Sequence, residues 1–345
     1  MKDPTIAEVA KRAGVAKSTV SAVLNDKGVV RASTRQAVLK AIEELNYRPR
    51  ASARRRFQGA PGRSICFVVK EPANPYYAEA LAGIQAVARE KGCLVFVGSS
   101  EGEYGIERQI VEQCMAREFD GLVVTPILDD ESDLSHIFEL KRNNVPFVLL
   151  ERVRGVQASL VDVDNVQASS EAVRYLLAQG HARIAHFAGP RYSAHSEERL
   201  EGVRRAFSES RLGLDPRQIV HAGDAMADGY REGLRCFRDA GAARPTAVTC
   251  YNDLVAIGLM KALAELGLRV PDDVSVVGFD DLDMLQYLPV PLTSVHVPKF
   301  DMGRTAAEML LRQIESPAER PVERATLQAR LVVRQSTRAL GAPAP

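Results

Sequence analysis

Short apolar runs alternate with helical patterns from Ser64 almost to the end of the 345-residue chain, and that alternation leaves few folds open. SICFVV is followed by a helical pattern over 76–90, then LVFVGSS, a helix, GLVVTP, a helix and VPFVLL. After ASLVDVDN the rhythm starts again: helix, RIAHFAGP, helix, QIVHAGD, helix, AVTCYND, helix, VSVVGFDD. Strict alternation of this kind implies parallel sheets, because each strand returns through a crossover helix. The pattern runs twice, which predicts two similar lobes. In such sheets ligands gather beyond the carboxyl ends of the strands. The polar residues at those ends, Asn74, Ser100, Thr125, Glu151, Asn252 and Asp280, are expected to converge on a cleft between the lobes.

The first 63 residues read differently. In RAGVAKSTVSAVLN, Val20, Val23 and Leu24 form one stripe at helical spacing. Lys17, Ser18, Ser21, Ala22 and Asn25 form the other. Two turns of helix are not stable alone in water, so the valines must bury against a neighbour. Ile6, Val9, Ala10 and Ala13 supply one. Thr5 and Glu8 fit a capping box that starts that helix, and Gly14 suits the left-handed stop that turns the chain. The pair is a helix-turn-helix pattern. Its short-chained hydroxyl, amide and Lys side chains suit close approach to a DNA groove. A third helix is expected over 33–46, with Val38, Ile42 and Leu45 inward and Ser33 and Gln36 as its capping box.

Charge points the same way. Fourteen Lys and Arg stand against five Asp and Glu over Met1–Arg63, so that stretch carries +9. The whole chain is +1, which leaves −8 on the remainder. A basic head on an acidic body is the distribution expected if only the head meets phosphates. RPRASARRRFQGAPGR, at 48–63, is densely cationic and ends in a Gly/Pro linker. Free in solution its arginines repel one another; on DNA it can fold.

TIAEVAKRAGVAKSTVSAVLN and TRQAVLKAIEELNYRP together resemble the headpiece of the lac repressor/purine repressor family of bacterial transcription regulators. NPYYAEALAGI, HARIAHFAGP, ERLEGVRRAF, NDLVAIGLMKALAELGLRVPDDVSVVGFDD and PLTSVHVPKFDMG resemble the body of that family, in the same order. The resemblance covers nearly the whole chain. It implies an α/β protein: a three-helix helix-turn-helix headpiece (1–48), a hinge helix and linker (49–62), and a two-lobed, periplasmic-binding-protein-like body with parallel sheets (63–345). The N-lobe is expected over about 63–161 plus 292–320, and the C-lobe over about 162–291 plus 321–340. It also implies a homodimer on a near-palindromic double-stranded operator, controlled by a small molecule in the cleft.

Carried over position by position, the resemblance assigns base reading to Lys17, Ser18 and Ala22. Thr5, Thr19, Ser21 and Asn25 match phosphate-contacting or helix-fixing positions. Ala53 falls in the hinge helix, flanked by Arg54 and Arg56 as further DNA contacts. In the body, Asn74, Thr125, Glu151, Arg199, Asn252 and Asp280 match cleft positions, to which Tyr76 and Ser100 are added as candidate effector contacts. Arg199 offers a planar fork of donors and the two acids offer acceptors, a combination suited to a hydroxyl-rich ligand such as a sugar.

The sequence departs from the family pattern in four places. Ala16 stands where a Ser or Thr usually opens the recognition helix, a lost cap worth about 1 kcal/mol. Arg31 replaces the capping Ser of the third helix, a role that passes to Ser33. Arg56 replaces the hinge Leu that wedges between base pairs, so either Phe57 supplies the wedge or the groove is held electrostatically. Near GDAMADGY the chain has Ala225 and Met226 in place of an aromatic ring, and it contains no Trp. Tyr76 or Tyr77 is the ring left to stack on a sugar.

Other classes fit less well. Gly98-Ser99-Ser100-Glu101-Gly102 matches a GxSxG nucleophile elbow, but no oxyanion segment and no partner His accompany it. There is no P-loop or GxGxxG. The five cysteines lack CxxC spacing and the six histidines lack HExxH, so no metal site and no cofactor are expected. No apolar run approaches the roughly 18 residues of a membrane span. The N-terminus carries a helix pair where a signal sequence would be, which argues against a secreted solute-binding protein. A cytoplasmic regulator, not an enzyme, is the expectation.

Overall fold

The computed structural model describes residues 5–24, 30–45, 63–117, 119–128, 133–238, 241, 244–317 and 322–341. The chain forms two compact units, a headpiece within the first 63 residues and a body from Ser64 onward.

In the headpiece, α1 (Ile6–Ala13), α2 (Lys17–Leu24) and α3 (Ala32–Glu44) pack round one small core. Val9, Ala10, Val20, Val23, Val38 and Ala41 are buried in it. The expected stripes are therefore the packed ones, apart from Leu24, whose side chain lies outside the described residues. Glu8 accepts from the Thr5 backbone N–H at 2.6 Å and from its hydroxyl at 2.9 Å, which starts α1. Gly14 ends it at φ 66°, with the Val15 N–H bonded back to Ala10 O at 3.0 Å. Arg12 Nε donates to Glu44 at 2.7 Å and ties α1 to α3. One expectation fails here. α3 is helical from Ala32, so Ser33 lies inside the first turn and not ahead of it. Asn25 and the hinge residues Ala53, Arg54, Arg56 and Phe57 lie outside the described residues.

The body holds two six-stranded sheets. The N-lobe sheet is ordered β11-β5-β4-β3-β1-β2, with β1 Ser64–Val69, β2 Leu94–Ser99, β3 Gly121–Val124, β4 Phe147–Leu149, β5 Ser159–Val163 and β11 Arg324–Leu327, all parallel. The C-lobe sheet is ordered β12-β10-β9-β8-β6-β7, with β6 Ile184–Ala188, β7 Ile219–His221, β8 Ala247–Cys250, β9 Ser275–Asp280, β10 Thr293–His296 and β12 Arg330–Val332. Only β12 in that sheet is antiparallel, added on the edge of β10.

The lobe limits read from the sequence therefore shift. Thr293–His296 pairs with β9 and belongs to the C-lobe sheet; Arg324–Leu327 pairs with β5 and belongs to the N-lobe sheet. The chain crosses between lobes three times, after β5, after β10 and after β11. β10 and β11 are four residues each, too short for the sequence pattern to say which sheet they join, which is why the last two crossings were misplaced.

Helices cover the sheets: α4 (Pro75–Glu90), α5 (Tyr104–Ala116), α6 (Ser135–Arg142) and α11 (Lys299–Glu315) in the N-lobe, and α7 (Asn165–Ala178), α8 (Ala194–Glu209), α9 (Met226–Phe237) and α10 (Asp253–Glu265) in the C-lobe. Gly83 and Gly303 let α4 and α11 touch backbone to backbone. A Cβ on Gly83 would lie 2.0 Å from Phe300 O, and one on Gly303 1.9 Å from Ala80 O. Among the described residues no helix is long and apolar enough to cross a membrane.

Candidate functional site: a cleft between the lobes and an exposed helix face

The strand ends of both sheets open on one cleft of about 310 Å³. Asn74, Tyr76, Thr125 and Glu151 line it from the N-lobe, and Arg199, Asn252 and Asp280 from the C-lobe. Ser100 does not reach it. That residue is fully buried and its hydroxyl donates to Val69 O at 3.1 Å. The same burial removes it as an exposed nucleophile, although Glu101 does follow in the left-handed region at φ 52°.

Several cleft residues also hold their own backbone. Asn74 caps α4 by accepting from the Tyr76 N–H at 3.0 Å. Asn252 caps α10 through Val255 N–H at 2.8 Å, and its Nδ2 donates to Asp224 O at 2.8 Å. Thr125 Oγ1 donates to Val68 O at 3.0 Å and accepts from the Lys70 N–H at 3.2 Å. Strand-end polarity here fixes loops as well as facing the cavity.

The charged groups are organised in two sets. In the first, Lys70 Nζ meets Glu151 Oε2 at 2.6 Å, and Glu151 Oε1 accepts from Ser193 Oγ at 2.7 Å. Burial alone would raise the Glu151 pKa, but Lys70, His195 and Ser193 bring it down to about 2. The same pairing overrides burial at Lys70 and raises its pKa. In the second, Arg199 Nε donates to Asn165 Oδ1 at 3.0 Å and Nη1 to Tyr251 O. Its guanidinium carbon lies 3.6 Å from the Phe279 ring centroid and 4.7 Å from that of Tyr251. Its Nη2 is 3.7 Å from Asp280 Oδ1, an oxygen with no hydrogen-bond partner among the described residues. Burial raises the Asp280 pKa to about 6, against the pull of Arg199, Lys299 and His195.

Asp280 is held in an unusual backbone state, φ 108°, followed by Asp281 at φ 58°. A side chain at positive φ carries strain that the surroundings must hold. Lys299, 1% exposed, does so: its Nζ donates to the carbonyls of Asp280 at 2.6 Å, Asp281 at 3.2 Å and Val297 at 3.3 Å.

Sequence reasoning missed Lys70, Glu71, Ser193, His195, Asp224 and Tyr251, all of which line the cleft. Lys70 and Tyr251 directly follow β1 and β8, so the strand-end rule could have found them. Tyr76, Tyr77 and Tyr251 are the aromatic rings that line the cleft. His195 pairs with Asp162 at 3.0 Å, and its pKa is raised, with Asp162 and Glu151 outweighing burial. No three His, Cys, Asp or Glu side chains among the described residues are grouped to hold a metal ion.

The headpiece offers the second candidate surface. Lys17 and Ser18 are exposed on α2, and Thr19, Ser21 and Ala22 are partly so. Val20 and Val23, on the opposite face, are 0% and 5% exposed. Thr5, at the start of α1, is exposed.

Comparison with known proteins agrees with both halves. Residues 5–50 match the family model "Bacterial regulatory proteins, lacI family", and 173–337 match a periplasmic binding protein-like domain. The HTH-type transcriptional repressor PurR of Vibrio vulnificus (strain CMCP6) is 33% identical over 317 residues, 90% of this chain and 92% of that protein. The HTH-type transcriptional repressor CytR of Escherichia coli (strain K12) is 31% identical over 97% of both. Among solved structures, the regulator CelR in complex with cellobiose superposes with a TM-score of 0.71 at 31% identity, covering 96% of this chain and 99% of that one. The lac repressor dimer bound to operator and the anti-inducer ONPF gives 0.72 at 28% identity, covering 98% and 100%. PurR, CytR and the lac repressor are repressors by name and CelR is a transcriptional regulator; none is an enzyme. With a headpiece and body that both match, over nearly its full length, this chain belongs to the lacI family of bacterial regulatory proteins.

Proposed function

We propose that this protein is a sequence-specific, homodimeric DNA-binding repressor controlled by a small polyol, a sugar or sugar derivative, in the interlobe cleft. The observation that carries the DNA half is the face of α2, where Lys17 and Ser18 stand clear of a core built on Val20 and Val23. Lys17, Ser18 and Ala22 enter the major groove and read a half-site. Thr5, Thr19 and Ser21 meet phosphate or fix the helix, joined by Asn25, Ala53, Arg54 and Arg56 from outside the described residues. The relative seen with cellobiose and the aromatic, carboxylate and guanidinium lining of the cleft support the ligand half. Leu94, Phe96 and Val97, 60%, 48% and 48% exposed on the edge strand β2, support a second copy as partner.

The cleft ligand selects one lobe arrangement, and DNA must then shift ligand affinity by the same factor. Titration of a palindromic operator, with and without a panel of sugars and sugar derivatives, tests the proposal. An operator affinity indifferent to every member would overturn effector control. A protein that retards no duplex at low ionic strength would overturn the DNA half.

A further inference from the structure

The cleft carries more negative charge than its own cations neutralise. Four carboxylates line it, Glu71, Glu151, Asp224 and Asp280, beside Lys70, His195 and Arg199. The cations are already committed. Lys70 is bonded to Glu151, and His195 to Asp162, which does not line the cleft. Arg199 is held by Asn165, the Tyr251 carbonyl and two rings, with Asp280 as its ion-pair partner at 3.7 Å. Glu71 and Asp224 have no ion-pair partner among the described residues. Glu71 leaves β1 in the N-lobe and Asp224 follows β7 in the C-lobe, so the two face the cavity from opposite walls. Burial and the Asp224 charge raise the pKa of Glu71 against the pull of Lys70; burial, with Asp228 and Glu151, raises that of Asp224 against the same lysine.

An independent observation points to the same cavity. Asp280 is 4% exposed, and its Oδ1 has no hydrogen-bond donor. A buried carboxylate oxygen in this state calls for a donor from outside the chain. The cleft thus presents two carboxylates without an ion pair and a third with an oxygen that no donor reaches.

We propose that the effector carries an amine, protonated when bound, that bridges Glu71 and Asp224 while its hydroxyls or a second N–H donor reach Asp280. This rests on the effector-cleft reading above and deepens it. A cation between two carboxylates on opposite lobes replaces repulsion with attraction on both sides, so the ligand itself draws the lobes together. A carboxylate- or phosphate-bearing ligand would meet the same walls with like charge.

Calorimetric titration of the full-length protein with matched triplets tests this: glucosamine, glucose and glucuronate, then 5′-amino-5′-deoxyadenosine, adenosine and adenosine-5′-carboxylate. On at least one scaffold the amine binds tighter than its neutral partner by about tenfold or more, and the acid binds weakest. Asp224→Asn and Glu71→Gln each remove about tenfold of the amine's affinity and cost the neutral member clearly less, so the preference for the amine shrinks. A neutral or acidic member that matches the amine overturns the inference and leaves effector control standing. Binding by no member overturns the inference as well, and effector control is then decided by the operator titration.

Discussion

Glu151, just past β4 in the N-lobe, accepts a 2.7 Å hydrogen bond from Ser193, the residue that caps α8 in the C-lobe. One carboxylate therefore joins the two lobes while Lys70 neutralises it from its own lobe at 2.6 Å. Arg152 with Glu198, at 2.6 Å, and Arg154 with Glu197 make parallel but more exposed links across the same gap.

The Lys70–Glu151 pair should behave as a buried ion pair, since the two side chains are 20% and 5% exposed. Lys70→Met leaves Glu151 charged and unpaired, and is expected to destabilise the body by about 3–5 kcal/mol. Lys70→Met with Glu151→Leu should recover most of that loss. Glu151 has a depressed pKa, about 2, so its stabilisation is present above the unfolded value near 4.5 and is lost as pH falls through 2. The depression corresponds to roughly 3 kcal/mol. Urea melts of the wild type and Glu151→Gln at pH 7 and pH 3 check this: the gap between them should narrow at the lower pH.

Asp280 is expected to show the opposite sign. Its folded pKa is raised to about 6, so the proton it holds stabilises the fold below the unfolded value near 3.8. That contribution disappears as pH rises through 6. Asp280→Asn should therefore be more stable than wild type at pH 7.5, by about 2–3 kcal/mol, and lose that advantage near pH 4. Effector affinity should fall in the same variant, because the oxygen without a donor is the one removed from charge. Denaturant melts at both pH values, beside calorimetry, separate the two effects.

Legibility from sequence followed the strength of local pattern. The headpiece stripes at Val9, Val20, Val23 and Val38 and the long strands were readable because burial there repeats with the period of the element. The strand-end rule found Asn74, Thr125, Glu151, Asn252 and Asp280 on the cleft wall. It misplaced Ser100, because a residue after a strand can turn back under the sheet as easily as forward. His195 and Ser193 were invisible for a different reason. They enter the site from the start of α8, where position depends on how two lobes meet and not on any local period. The crossings after β10 and β11 were misplaced by a few residues because TSVH and RATL are only four residues each, too short to show in the sequence which sheet they join.

Glu107 offers a test of the cleft wall. Its side chain and that of His136 are both fully buried, with Oε1 2.7 Å from His136 Nε2. Its Oε2 accepts from the Ile127 N–H at 2.8 Å, and Ile127 lines the cleft. Glu107→Ala orphans a buried N–H and a buried imidazole together, and should cost about 3–5 kcal/mol. Glu107→Gln keeps an acceptor for Ile127 and should cost less than half as much. If the carboxylate positions the wall, the Gln variant also keeps effector affinity within a few-fold of wild type. A thermal melt and a ligand titration on each variant distinguish wall positioning from bulk stability.

Lys17 decides whether α2 reads bases or only rests on phosphates. As a base reader, Lys17→Ala should weaken a cognate operator by about 1–3 kcal/mol and relax preference at one position of the half-site. Nonspecific duplex would then bind almost as before. As a phosphate contact, the same change would weaken all duplexes alike and lower the slope of log K against log salt by about 1. Arg54→Ala and Arg55→Ala serve as the reference for that second behaviour, since a dense cationic run is expected to act through phosphates, each flattening the slope. Fluorescence anisotropy at several salt concentrations, on operator and scrambled duplex, gives both quantities at once. Loss confined to the operator places Lys17 in the groove. Equal loss on both sequences, with a flattened slope, moves base reading to Ser18 and Ala22.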